Sequence, residues 1–160
     1  MTADLLKREI TELLEVVSLS SEESLQKICE LLRDLRKGYD WVGFYFVDRQ
    51  KERELVLGPF AGQPTEHVRI GFGRGICGQA AETLKVFVVD DVSAESNYLS
   101  CSPGVRSEFV APVMAGGLLV GELDLDSREP ALFTREDSRL LEWVASVCAG
   151  AVAEAAGFEI

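Results

Sequence analysis

The chain has one histidine, His67, no C-x-x-C pair among its four cysteines, and only 16 basic residues against 27 acidic ones. Each shortage closes off a class of function. Cys29, Cys77, Cys101 and Cys148 are widely scattered and have a single histidine to join them, so no zinc-type spacing exists and no metal or other cofactor is predicted. A formal net charge of -11, spread along the chain, repels polyanions and excludes nucleic acid as a partner. Long apolar runs are also missing: stretches such as Leu118 to Gly121 are far too short to span a bilayer. The N-terminal MTADLLKREITELLE mixes charges with apolar residues where a signal peptide would carry an apolar core. A soluble cytoplasmic protein without membrane association is expected. In that reducing compartment the thiols act as buried small hydrophobes or as reactive groups, not as staples.

What is present suffices for one compact core: 160 residues, 47% hydrophobic and 27% charged, with no internal repeat or linker. Residues 3–17 place Leu5, Leu6, Ile10, Leu13, Leu14 and Val17 at helical spacing. A second helix starts after Ser20, where Ser20 and Glu23 have capping-box spacing, and ends near Gly38 with Cys29 on or beside its apolar stripe. From Tyr39 to Ala131 the period becomes that of strands: WVGFYFVD, ELVLGPF, EHVRI, VFVVDDV, EFVAPVMA and LLVGELDLD. Gly116-Gly117 between the last two runs signals an antiparallel hairpin. A long closing helix follows over residues 134–156, capped by Thr134 and carrying Cys148 on its buried stripe. Cys29 and Cys148 are therefore predicted core thiols. Residues 1–38 thus hold the N-terminal helices and 39–131 the sheet and its loops, an α+β arrangement over residues 1–160 with helices mostly on one side.

Three places are candidates for chemistry. In LLVGELDLD, alternation puts Glu122, Asp124 and Asp126 on one face, and Glu108 on the paired strand joins them if the register allows. This is either a solvated acidic face or a site for a cationic ligand. In WVGFYFVD, Trp41, Gly43 and Tyr45 share a face, which is either ordinary packing or an aromatic wall with the glycine leaving room for a small ligand. Cys77 follows a glycine-rich turn at the start of a short helix, where the helix dipole favours thiolate. The same turn reads G-x-G-x-x-G, but no βαβ pattern continues from it, so it is weak as a dinucleotide signal and explicable as a tight turn. Cys101 sits in the long polar loop DVSAESNYLSCSPGVRSE with Arg106 nearby to lower its pKa, which makes it the nucleophile candidate of the four; an incidental loop thiol is the alternative.

The motifs YDWVGFYFVD, ELVLGPFAGQP, VRIGFGRGICGQAAET, VVDDV, SEFVAPV and GELDLDS, followed by FTREDSRLLEWVA, resemble the free methionine-R-sulfoxide reductases, a GAF-domain family, over roughly residues 39–150. The resemblance implies a GAF-like antiparallel sheet with the N- and C-terminal helices on one face and a loop-covered pocket on the other. It makes Cys101 the catalytic cysteine, and Trp41, Tyr45, Glu108, Asp124 and Asp126 the substrate-pocket residues, with Glu108 and Asp126 also serving catalysis. It implies free methionine sulfoxide as substrate and thioredoxin as reductant, in a role against oxidative stress. The family's usual resolving cysteine is replaced by His67, leaving Cys77 or an external thiol to resolve Cys101, and leaving His67 as a candidate support for its thiolate. The alternatives are a non-catalytic GAF module that binds a small ligand and an interaction protein that dimerises through its first helix. A homodimer is compatible with catalysis.

Overall fold

A computed structural model describes residues 1–99 and 103–159. Cys101, the predicted nucleophile, lies outside the described residues. Two helices, α1 (Ala3–Glu15) and α2 (Ser21–Leu35), precede the strands β1 (Trp41–Val47), β2 (Glu54–Ala61) and β3 (Arg69–Gly71). Helix α3 (Gly75–Thr83) leads to β4 (Phe87–Val89), then come β5 (Ser107–Ala115), β6 (Leu118–Ser127) and the helices α4 (Arg135–Val147) and α5 (Ala149–Ala155). The six strands form one antiparallel sheet in the order β3-β2-β1-β6-β5-β4, so α3 leaves one edge of the sheet and delivers the chain to the other. This α+β arrangement is the expected one.

Alternation along the strands separates two apolar layers. Val42, Phe44, Phe109, Ala111, Leu123 and Leu125 turn toward the terminal helices, meeting Leu6, Ile10, Leu25, Ile28, Leu32, Leu141, Val144 and Val152. Trp41, Tyr45 and Val110 turn the other way, beneath Ile76, Cys77, Ala80 and Ala81 of α3. Cys29 and Cys148 are both fully buried on the helix side, as predicted, and burial pushes the Cys148 thiol up to about 12.

The β5–β6 hairpin turns on Gly116 and Gly117, both at positive φ, 57° and 80°. Next to the turn Ala115 faces Leu118 and Met114 faces Leu119; a bulge then advances the register, so that Val113 faces Gly121 and Glu108 faces Asp126.

Three boundaries differ from the sequence reading. Helix α1 stops at Glu15, and Val17, placed on its stripe by periodicity, is 99% exposed. Only Leu6 and Ile10 of α1 are fully buried, because the helix docks along a narrow line. The run EHVRI yields a strand only at Arg69–Gly71, with His67 in the connection before it. The closing helix is broken at Cys148, whose N–H is shared between the carbonyls of Ser146 and Val144; this tightened turn sits among the small residues Ser146, Ala149 and Gly150.

Both capping boxes form, at Ser20/Glu23 and at Thr134/Asp137. Asp137 does more than cap. Its buried carboxylate accepts from Arg36 Nη1 at 2.7 and 2.8 Å, from the Tyr39 hydroxyl, and from Thr134 N and Oγ1 at 2.7 Å each, so one side chain joins the end of α2 to the start of α4. Asp137→Ala is expected to cost about 3 kcal/mol, because it removes the cap and leaves the Tyr39 hydroxyl unpaired, and Asp137→Asn less. Urea unfolding measures the difference; equal stability of wild type and Asp137→Ala would refute the clasp.

Candidate functional site

The pocket face is assembled from cross-strand pairs. Trp41 stands opposite Asp126, Gly43 opposite Asp124 and Tyr45 opposite Glu122 across β1 and β6, and Glu108 stands opposite Asp126 across β5 and β6. Directly opposed residues share a face, so the aromatic wall and all four carboxyl groups lie together. The bulge decides this for Glu108. Counted from the Gly116-Gly117 turn without the bulge, Glu108 would face Leu125 and point into the helix-side core.

All four carboxyl-bearing residues are buried, Glu108 at 1% exposure and Glu122, Asp124 and Asp126 at 0%, which removes the reading of a solvated acidic face. Burial, and then the charges of Asp124 and Asp126, push the Glu108 carboxyl well above the ordinary carboxylate range; its hydrogen bonds to both also hold the proton on Glu108. Glu122 is pushed well up too, by burial and then by Asp124, while a hydrogen bond from the Cys77 thiol pulls weakly the other way. No nitrogen or oxygen donor among the described residues reaches either Glu122 oxygen. Glu122 is on the predicted acidic face but was not among the predicted site residues. Alternation alone was the signal for it, and the family motifs did not single it out.

Trp41 and Tyr45 form a wall with ring centroids 6.4 Å apart, and Phe60 stacks on Trp41 at 5.6 Å. The Trp41 indole N–H donates to the Gln63 carbonyl and the Tyr45 hydroxyl to the His67 carbonyl, 2.9 Å each, so both rings are held by backbone of the β2–β3 connection. Gly43 leaves room for a different reason than expected. A Cβ there would lie 2.3 Å from the Trp41 ring, so the space it frees holds the indole itself. His67 thus enters the site through its carbonyl.

Cys77, the third residue of α3, is 4% exposed. The helix-start position is as predicted, but its neighbours are acidic. One ligand-type atom from each of Cys77, Glu108 and Asp124 lies within 4.8 Å of the other two, a grouping that the scattered sequence positions concealed. The fold therefore supplies a possible cation set where spacing predicted none. The G-x-G-x-x-G segment is a turn that lets α3 close on the sheet: a Cβ on Gly78 would lie 2.6 Å from the Gly71 carbonyl oxygen, and no parallel strand pair follows.

The loop leading to Cys101 is fastened to this helix. Asn97 Oδ1 accepts from Gly75 N at 2.8 Å, Asn97 Nδ2 donates to the Gly73 carbonyl at 2.7 Å, and Gln79 Nε2 donates to the Asn97 carbonyl at 3.1 Å. Leu99 and Val105, on either side of the undescribed residues, both pack in the pocket-side cluster. Arg106 is exposed, and its charge acts on Asp91.

A family model described as a GAF domain matches residues 18–153. The free methionine-R-sulfoxide reductase of Saccharomyces cerevisiae is 33% identical over 133 residues, covering 82% of this chain and 72% of its own. Among solved structures, the type II free methionine-R-sulfoxide reductase of Thermoplasma acidophilum superposes with a TM-score of 0.79 at 36% identity, covering 84% of this chain and 93% of that one. The free methionine-R-sulfoxide reductase of Neisseria meningitidis in complex with its substrate gives 0.82 at 35% identity, covering 96% and 91%. The chain belongs to the GAF-domain family of free methionine-R-sulfoxide reductases. The acidic and aromatic face described above is thus part of a GAF-domain reductase fold.

Because Glu108 and Glu122 keep their protons when folded and lose them more readily when unfolded, they stabilise the fold most at low pH. That contribution fades as pH rises above the usual carboxylate value toward their raised folded values. Glu122→Gln is expected to flatten the decline in unfolding free energy as pH rises above the ordinary carboxylate range. Urea unfolding across that rise reads it; parallel wild-type and Glu122→Gln profiles would show that Glu122 ionises normally.

Proposed function

We propose that this chain reduces the R-sulfoxide of free L-methionine to methionine, with Cys101 as the attacking thiolate. The observation that carries the reading is a buried carboxyl group, Glu108, on a face that also gathers Asp124, Asp126, Trp41 and Tyr45. A sulfoxide sulfur is a weak electrophile until its oxygen is protonated, and burial with the neighbouring Asp124 and Asp126 charges raises the Glu108 carboxyl well above the ordinary carboxylate range, which suits it to supply that proton.

In this mechanism Asp124 and Asp126 supply negative charge for the substrate ammonium, and Trp41 and Tyr45 receive the thioether end. The Cys101 sulfur attacks the sulfoxide sulfur as the oxygen takes a proton from Glu108. Collapse of the adduct moves that oxygen to Cys101, releasing methionine and leaving a sulfenic acid. A second thiol condenses with the sulfenic acid, expelling water and forming a disulfide, which thioredoxin reduces by exchange. Cys77 is the resolving candidate within the chain, and an external thiol is the other route. A closed pocket with an ammonium site favours the free amino acid over a peptide-bound residue. The buried Cys29 and Cys148 thiols suit a reducing compartment such as the cytoplasm. A purely ligand-binding role has no use for a carboxyl kept neutral beside two other acids.

Turnover of L-methionine-R-sulfoxide with dithiothreitol, and separately with thioredoxin, thioredoxin reductase and NADPH, tests this. Cys101→Ser is expected to abolish it, Glu108→Gln to lower kcat about 100-fold, and Cys29→Ser and Cys148→Ser to leave it nearly intact. Loss with Cys77→Ser only under thioredoxin makes Cys77 the resolver. No turnover by folded, reduced wild type would overturn the reading in favour of a binding module.

A further inference from the structure

The reduction chemistry leaves part of the pocket floor unused. Glu108, Asp124 and Asp126 are occupied with proton and substrate, but Glu122 has no part in the reaction, and it is fully buried with no nitrogen or oxygen donor on either oxygen among the described residues. It lies close enough to Asp124 to feel its charge and to Cys77 to receive its thiol proton. Those two residues, with Glu108, are the ones whose ligand-type atoms fall within 4.8 Å of one another. Glu108 Oε1 is likewise without a partner among the described residues.

We propose that this floor is a binding site for a borderline-soft divalent cation of the zinc class, held by Cys77, Glu108, Asp124 and Glu122, and that the bound ion blocks the substrate site. A zinc ion bonds sulfur at about 2.3 Å and oxygen at about 2.0 Å, so the atoms of Cys77, Glu108 and Asp124, already gathered this closely, need only a small contraction to reach it, and Glu122 joins them from beside Cys77. The donor set selects the metal class: magnesium and calcium take oxygen ligands, whereas one thiolate among carboxylates suits zinc, cadmium and cobalt. Four ligands satisfy the tetrahedral preference and give Glu122 a stronger partner than the Cys77 thiol alone. Binding transfers the Cys77 thiol proton, and those on the carboxyl groups, to solvent. The substrate ammonium and the ion then compete for Asp124, and the ion removes Glu108 as an acid. The site stands on geometry alone, while its inhibitory effect rests on the reductase reading above.

Reduced, metal-free full-length protein titrated with cobalt(II) without added thiol provides the test. The expected result is a near-ultraviolet sulfur-to-cobalt charge-transfer band that saturates at one ion per chain and is displaced by zinc. Cys77→Ser abolishes the band, Cys101→Ser retains it, and Glu122→Gln weakens binding about tenfold or more. In single turnovers of pre-reduced wild type, zinc slows methionine release, and higher sulfoxide concentration restores it. No band in wild type, or a band that survives Cys77→Ser in folded protein, overturns the site. Undiminished single turnover at saturating zinc overturns the blockade. If the metal-free chain makes no methionine at all, the reductase reading fails by itself, and the cobalt titration still decides the site.

Discussion

The structure depends on keeping four carboxyl groups out of water on one face of a six-stranded sheet. An isolated buried carboxylate costs far more than a hydrogen bond returns, so such a face survives only by holding protons or by admitting a cation. Burial and neighbouring charges push Glu108 and Glu122 toward the first course. The helices on the opposite face meet the cost, with a continuous apolar layer from Leu6 to Val152, while the pocket side has the smaller cluster around Trp41 and Ile76. A zwitterion or a metal ion would relieve the same stress, so the two occupants proposed for this face answer one constraint.

The pocket-side layer is covered by an element that relies on a neighbouring segment for its place. Helix α3 is short, starts without a side-chain cap, and reaches the sheet because Gly78 allows backbone to touch backbone. Its first turn finds its missing partner in Asn97, on the loop before Cys101. The cap that a helix ordinarily takes from its own sequence comes here from the segment that leads toward Cys101, so the position of Cys77 and the course of that segment at Asn97 are set together.

Much of this was legible in the sequence. Period-two alternation placed Glu122, Asp124 and Asp126 on one face, and Trp41 and Tyr45 on the matching face of their own strand, because a residue's side of a strand is fixed by parity alone. Capping boxes were readable because their spacing is local. What was hidden depended on contacts distant in sequence. The facing of Glu108 required the register, the purpose of Gly43 required knowing that the Trp41 ring folds over it, and the meeting of Cys77 with Glu108 and Asp124 required the path of α3. The break at Cys148 was hidden for another reason: the hydrophobic stripe runs on through it, so periodicity has nothing to report.

The bulge in the β5–β6 hairpin makes that hairpin a counting device. Chains commonly gain and lose residues at exposed hairpin tips without harm, because the strands simply lengthen or shorten in step. Here the parity set near the Gly116-Gly117 turn is inherited, strand by strand, by an acid at the far end. One residue more or less on a single arm, loss of the bulged residue itself excepted, would turn Glu108 from the pocket into hydrocarbon, while paired changes on both arms would be silent. A length difference in this hairpin therefore bears on the chemistry of the face more directly than many substitutions would.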